Sequence, residues 1–289
     1  MPKSVSKPET GKGDLPSAST EEFFATTEGA DLYLPFPTEV SPVSPESRVV
    51  VYTDPRSAGA DRFRLVQIRL TGMQATKKLR CLLITSPLPG DGKSTVALNL
   101  ATSLSEEGKR PVLLLEADVY RGDLVKRLGL KPWSGLTECF RSGSDPMQAI
   151  RRIEPLGFYL LPAGKPMDDG SSLLQSEFTA QLFKGLSSSL FRWILIDSPP
   201  STPIADIISL NGQADATLLV ARAGVTPRDA LEETARHLGR EHILGIILNG
   251  VEGLHRTYYK YYGYAKSAAR AKPAKPKVVE DLGLNKSGS

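Results

Sequence analysis

Cysteine and histidine are scarce in this chain. Its 289 residues hold two cysteines and three histidines. Cys81 and Cys139 lie far apart, without the paired spacing of a zinc or iron–sulfur site and too few for a disulfide framework. A reducing compartment is the simple reading, and Cys81, which opens an apolar run, is expected to pack in a core. His237, His242 and His255 are scattered and suggest no ligand cluster. No run approaches the roughly 18 consecutive apolar residues of a membrane span. The opening Met1-Pro2-Lys3-Ser4 lacks the apolar core of a signal peptide. A cytoplasmic protein without a span of its own is therefore expected.

The positive charge is also unevenly placed. The chain carries a net +4, yet from His255 onward eight Lys or Arg face only Glu280 and Asp281. The basic character belongs to the tail, at +6, and the rest of the chain is near −2.

What is present divides into four stretches. Residues 1–47 are rich in Pro, Ser, Thr and Glu, with Pro35, Pro37, Pro42 and Pro45 crowded at one end, and read as disordered. Residues 48–80 offer a short strand pattern, Arg48-Val49-Val50-Val51-Tyr52. A helix pattern follows from Ala60 to Met73, with Phe63, Val66 and Leu70 on one face, a candidate oligomerisation element. Residues 81–254 alternate apolar strands with helices. The strands are expected at Cys81–Thr85, Val112–Leu115, Phe158–Leu161, Trp193–Ile196, Thr217–Val220 and Ile243–Leu248. The helices are expected at Val96–Glu107, Gly170–Ser187 and Pro227–Leu238. Strands apolar on both faces and separated by helices predict an α/β fold, doubly wound on a mostly parallel sheet. Residues 255–289 read as a flexible basic tail.

One stretch organises the rest. Ser86-Pro87-Leu88-Pro89-Gly90-Asp91-Gly92-Lys93-Ser94-Thr95 joins an apolar strand to a helix. This is the arrangement of a phosphate-binding loop, although Pro87 stands where the strict pattern has glycine. Gly90 and Gly92 let the backbone curl its N–H groups toward a phosphate, and the helix N-terminus adds its positive dipole end. Pro89, Gly90, Asp91, Gly92, Lys93, Ser94 and Thr95 are the candidate ATP-binding residues. Lys93 is expected to reach the β- and γ-phosphates and the Ser94 hydroxyl to hold Mg²⁺.

Two further strands end in carboxylates, where ligands bind in open α/β sheets. Ile194-Leu195-Ile196-Asp197-Ser198-Pro199-Pro200 has the Walker B form, with Asp197 expected to contact Mg²⁺ through water. Val112-Leu113-Leu114-Leu115-Glu116-Ala117-Asp118-Val119-Tyr120-Arg121 ends in two carboxylates and an arginine. Glu116 and Asp118, at i and i+2, would point the same way if the strand continued. One would lie near Mg²⁺ and the other could take a proton from an incoming hydroxyl.

These motifs, their order and the tyrosine-rich tail resemble the bacterial tyrosine kinases of capsule and exopolysaccharide synthesis. That family has a phosphate loop, a strand ending D-x-D-x-R, a strand ending D-S/T-P-P and a C-terminal tyrosine cluster. The likeness runs from about Val49 to Tyr264. The family's opening D-P and E-x-x-R-x-x-R helix are echoed by Asp54-Pro55 and by Asp61, Arg64 and Gln67. The related partitioning and division-site ATPases carry a lysine two residues before the first glycine of the loop, where this chain has Leu88. The resemblance implies ATP and Mg²⁺ as cofactors, Lys93, Asp118, Glu116 and Arg121 as catalytic residues, and Ser94, Asp118 and Asp197 at the metal. It implies transfer to tyrosines on the tails of neighbouring copies in a homo-oligomer. It further implies a separate transmembrane activator of the chain-length-regulator type that recruits the protein to the membrane's inner face, and a tyrosine phosphatase as an opposing partner. Two departures stand out. Glu116 replaces aspartate, one methylene longer, and about 1 Å at a reacting centre can cost roughly a hundredfold. Asp61 and Gln67 alter the ring-forming helix.

Tyr258, Tyr259, Tyr261, Tyr262 and Tyr264 are five of the chain's nine tyrosines, grouped within seven residues. Their spacing follows neither a strand nor a helix, which favours phosphoacceptors over a packed aromatic stripe. Each phosphate would add about −1.5 to −2 charge, so several would reverse the tail's sign. Two other readings remain. One is a partner-regulated positioning ATPase whose basic aromatic tail holds nucleic acid without sequence preference. The other is a catalytically weak scaffold for polysaccharide machinery. On the kinase reading no specific nucleic acid is expected.

Overall fold

Every residue of Cys81–Thr85, Val112–Glu116 and Trp193–Asp197 is buried, as uninterrupted apolar runs require of strands covered on both faces. The computed structural model describes residues 34–201 and 204–251, and those up to Gly250 form one compact unit. Its first half runs β1 (Thr38–Val40), α1 (Val50–Thr53), α2 (Ala58–Gln74), β2 (Cys81–Thr85), α3 (Lys93–Ser105), β3 (Val112–Glu116), α4 (Leu124–Arg127), α5 (Leu136–Ser142) and β4 (Arg151–Glu154). Its second half runs β5 (Phe158–Leu161), α6 (Gly170–Leu174), α7 (Glu177–Ser187), β6 (Trp193–Asp197), α8 (Ile204–Asn211), β7 (Ala216–Arg222), α9 (Arg228–Leu238) and β8 (Ile243–Asn249).

The strands form one eight-stranded sheet in the order β1-β4-β5-β3-β6-β2-β7-β8. All neighbours are parallel except β4 and β5. Alternate residues feed two cores. Leu82, Ile84, Leu114 and Leu195 pack with Val96, Leu98, Leu100 and Leu104 of α3 on one face. Leu83, Leu113, Leu115 and Ile196 pack with Leu173, Leu182, Leu186 and Leu210 of α6, α7 and α8 on the other. The α/β expectation with a mostly parallel sheet holds. The sheet also sets the site: β3, β6 and β2 are adjacent, so the loops leaving their carboxyl ends meet.

Three local expectations change. Residues 34–47, read as disordered, belong to the fold: β1 pairs with β4, and the Leu34 N–H donates to the Tyr159 hydroxyl at 3.0 Å. Phe36 stacks on Phe191, with ring centroids 5.9 Å apart. A three-residue edge strand among prolines carries no period for sequence reading to detect. Residues 48–52 are not a strand. The Thr53 N–H bonds back to the Val49 carbonyl, and the buried Asn99 side chain accepts from Val51 N and donates to Arg48 O, fixing a helical turn against α3. The helix expected over 170–187 is two helices. Ser176 turns extended and its hydroxyl caps Thr179 N–H, starting α7 afresh.

Helix α2 begins at a Ser57 cap that accepts from Ala60 N at 3.1 Å. Arg64 pairs with Asp61 at 2.6 Å, and Gln67 donates to Glu106 at 3.3 Å. Both substituted positions of the helix motif thus bond within the chain. No helix among the described residues is long and apolar enough to cross a membrane. The tyrosine cluster at 258–264 lies outside the described residues.

Candidate nucleotide and phosphoryl-transfer site

The loop between β2 and α3 needs positive φ at two positions, and glycine occupies both: Gly90 at +88° and Gly92 at +99°. A Cβ on Gly90 would meet nothing within 4 Å, so the loop is open there, whereas one on Gly92 would fall 1.9 Å from Asn249 Nδ2. Gly92 caps α3, and no side chain accepts from the helix's first turn. Those N–H groups are left for an anion. Pro89 has no N–H to give and contributes its fixed φ instead.

Lys93 reaches across to Asp118, Nζ to Oδ2 at 2.8 Å. Burial pulls its pKa down, but the Asp197 and Asp118 carboxylates outweigh it and hold the ammonium above its ordinary value. Asp197, at the end of β6, is pushed up to about 6. Burial is the larger cause, opposed by the Lys93 charge and by the nearby Ser94 hydroxyl. Asp197 Oδ1 is buried with no hydrogen-bond partner. An orphaned carboxylate oxygen beside a serine hydroxyl and Asp118 is a set of hard oxygen donors, which suits Mg²⁺. Thr95 is engaged at the side, its hydroxyl accepting from Arg127 Nη1 at 3.3 Å.

The structure separates Glu116 from Asp118. Glu116 Oε1 accepts from Leu124 N at 2.8 Å and Oε2 from Ala163 N at 3.0 Å. Its side chain ties the start of α4 to the loop after β5. Burial pushes its pKa up to about 7, against those two backbone bonds. The strand ends at Glu116, so the expected i, i+2 alignment with Asp118 does not apply. Asp118 faces Lys93, and its Oδ1 accepts from Arg121 N at 3.2 Å. Arg121 is exposed, and it lies one residue beyond the fifth position of D-x-D-x-R. Tyr120 takes that position, and its hydroxyl donates to Asp206 at 2.7 Å and lies 3.2 Å from Ser171 Oγ.

Sequence reading missed the braces of the phosphate loop. Asp91, a candidate nucleotide-binding residue by sequence, is 1% exposed. Its Oδ2 accepts from Leu88 N at 3.0 Å and its Oδ1 from the Thr226 hydroxyl at 2.6 Å. Asn249 Nδ2 donates to the Asp91 carbonyl at 2.9 Å. Ser201 donates its N–H to Ser86 O and its hydroxyl to Pro87 O. Asn249 ends β8, and the rule that strand ends line the site pointed to it. Thr226 carried no local signal.

No family model matches the chain. It is 27% identical over 218 residues to the tyrosine-protein kinase YwqD of Bacillus subtilis, covering 75% of this chain and 91% of YwqD. It is 30% identical over 202 residues to the tyrosine-protein kinase CpsD of Streptococcus agalactiae, covering 68% of this chain and 86% of CpsD. It is 31% identical over 210 residues to the succinoglycan biosynthesis transport protein ExoP of Rhizobium meliloti. That match covers 70% of this chain but only 26% of ExoP.

Among solved structures, the BceF tyrosine kinase domain is 27% identical with a TM-score of 0.62, covering 80% of this chain and 87% of that one. Two further likenesses are of fold alone. The kinase domain of the Escherichia coli tyrosine kinase ETK is 21% identical, with a TM-score of 0.65 and coverage of 80% and 87%. The septum site-determining protein MinD of Pyrococcus horikoshii, complexed with Mg-ADP, is 23% identical, with a TM-score of 0.50 and coverage of 59% and 70%. A phosphate loop facing two carboxylate strand ends, on a chain alike to CpsD across most of its length, belongs to the bacterial tyrosine kinase family: the protein is a nucleotide-binding protein-tyrosine kinase.

Proposed function

We propose that this kinase transfers the γ-phosphoryl of ATP to the tyrosine cluster Tyr258, Tyr259, Tyr261, Tyr262 and Tyr264 on the tail of a neighbouring copy. The observation that carries the reading is the meeting of Lys93, Ser94, Asp118 and Asp197 at one end of three adjacent strands, with Asp197 Oδ1 lacking a partner. Ser94, Asp118 and Asp197 would hold Mg²⁺, which neutralises charge on the β- and γ-phosphates when bound.

The residues divide the work as follows. Backbone N–H groups of Gly90 to Thr95 receive the phosphates. Lys93 leaves Asp118 for them, which frees the Asp118 carboxylate beside the reacting centre. The Asp118 oxygen that Lys93 vacates, Oδ2, then takes the phenolic proton of the acceptor tyrosine, and its other oxygen is the one that serves the metal. The phenol oxygen bonds to the γ-phosphorus as the bond to the β–γ bridging oxygen breaks and ADP leaves. Glu116 has both oxygens committed to backbone N–H groups, which favours Asp118 as the base. Arg121, exposed beside Asp118, is free to meet substrate charge.

In this scheme 81–254 is the catalytic domain, 255–289 the acceptor tail, and 48–80 the element through which copies associate. Exposed Leu65 and Ile68 on α2 supply apolar surface for that contact. The likeness to ExoP, a succinoglycan biosynthesis transport protein, supports a role in exopolysaccharide synthesis. A separate transmembrane activator that recruits the protein to the membrane's inner face completes the proposal. A tyrosine phosphatase would reset the tail.

Intact mass after incubation with Mg²⁺ and ATP tests the reading. Wild type should gain a ladder of phosphates mapping to 258–264, and Lys93→Ala should gain none. Mixing a Lys93→Ala chain with a wild-type chain lacking the tail should place phosphate on the inactive chain, since transfer is between copies. A folded, ATP-binding wild type that gains no phosphate alone or with an activator's cytoplasmic segment would refute it.

A further inference from the structure

The phosphate loop is held by the far edge of the sheet. Thr226 follows β7 and Asn249 ends β8, the two strands on the edge side of β2. The Thr226 hydroxyl accepts from Arg222 N at 2.7 Å and donates to Asp91 Oδ1 at 2.6 Å, so both its hydrogen-bonding roles are used. Asp91 Oδ2 spans back to Leu88 N and closes the first half of the loop. Asn249 Nδ2 binds the Asp91 carbonyl and lies where any side chain on residue 92 would go. Both the carboxylate and the carbonyl of Asp91 are thus spoken for by residues more than 130 positions away.

A buried carboxylate inside a loop that binds polyphosphate is otherwise adverse, because it adds negative charge next to the ligand. Its bonds give the reason for its presence. With Asp91 held from three directions, its oxygens take the Leu88 N–H and no N–H of residues 92–95, and those later donors stay aimed at the ligand. The loop's shape then costs nothing to organise when the nucleotide arrives.

We propose that Thr226 and Asn249 are positioning residues that act through Asp91 to fix the loop's N–H groups for the β- and γ-phosphates. This rests on the reading that residues 86–95 bind the nucleotide's phosphates. The clamp makes affinity for the polyphosphate, rather than for the nucleoside, depend on the edge strands β7 and β8.

Dissociation constants for ATP, ADP and AMP, measured with Mg²⁺ on the full chain, test it. Lys93→Ala is the control for the phosphate-loop reading itself. If wild type binds ATP and Lys93→Ala binds it far more weakly, that reading stands, whatever the clamp variants do. Thr226→Val keeps the shape but loses both hydrogen bonds. It should weaken ATP and ADP by about tenfold, roughly the net worth of a charge-assisted bond, and leave AMP unchanged. KM for ATP should rise more than kcat falls, and Thr226→Ser should restore the wild-type values. Asn249→Ala should show the same selective loss, and it decides the matter if Thr226→Val fails to fold. Folded variants that bind ATP as wild type does would overturn the proposal. So would equal loss on AMP, which would assign these residues to the nucleoside.

Discussion

The loop after β2 and the loop after β3 meet at the Lys93–Asp118 pair, yet they are held in opposite ways. The phosphate loop is braced from outside, by Thr226, Asn249 and Ser201, and keeps the first N–H groups of α3 free of side-chain caps. The β3 loop is braced by its own side chains: Glu116 accepts from Leu124 and Ala163, and Tyr120 donates to Asp206. A loop that receives an anion must keep its donors, so its supports come from elsewhere in the fold. A loop that presents one carboxylate can spend its other polar groups as struts. Asp118 is the residue of the β3 loop whose charged partner, Lys93, belongs to the loop proposed to receive the phosphates.

The largest expected effect comes from the residue that is not a strut. Asp118→Asn should slow tail phosphorylation by about a hundredfold to ten-thousandfold while nucleotide binding persists and Tm moves little. Timed phosphopeptide mapping alongside calorimetry measures both. Unimpaired transfer would erase the distinction between Asp118 and Glu116.

Glu116→Ala should do the reverse. Two buried N–H groups lose their acceptor, at a cost of about 2–4 kcal/mol, seen as a Tm drop of several degrees with a smaller proportional loss of rate in the surviving folded protein. A catalytic collapse at unchanged Tm would put Glu116 on the substrate instead.

Tyr120→Phe should be milder. Asp206 keeps Ser171 and Gln175 as donors, so about 1 kcal/mol is lost, a fall of roughly 2–4 °C in Tm for a domain of this size.

The last comparison is of pH dependence. Glu116 sits at about 7 in the fold against an ordinary 4.5, and Asp197 at about 6 against 3.8. As pH rises through these windows the unfolded chain ionises first, so the metal-free protein loses stability. Tm should fall from about pH 4 to about pH 7, and fall less in Glu116→Gln. A flat or rising profile would mean that the backbone bonds to Glu116 offset its burial.

Much of the architecture was legible from pattern. Uninterrupted apolar runs gave β2, β3, β5 and β6 nearly to the residue, because strands buried on both faces leave no polar alternation to misread. The phosphate loop, Lys93, Asp118 and Asp197 were legible because glycine, charge and strand end fall within a few residues. What escaped was short or shared. β1 has three residues and β4 four, and β4 forms only against β5. Arg48 to Tyr52 has strand-forming residues, but Asn99, from another element, settles it as a helical turn.

The sequence by itself determined the class of fold, the phosphate loop and the carboxylates that face it, since each is written in contiguous residues. Only the tertiary structure decided which carboxylate faces Lys93 and what holds the loop. Glu116 and Asp118 are alike in sequence and differ because Leu124 and Ala163 claim one of them and Lys93 the other. Thr226 and Asn249 reach Asp91 across 135 and 158 residues. Hydrogen bonds are chosen by proximity in the folded sheet, and strand order, not chain order, sets that proximity.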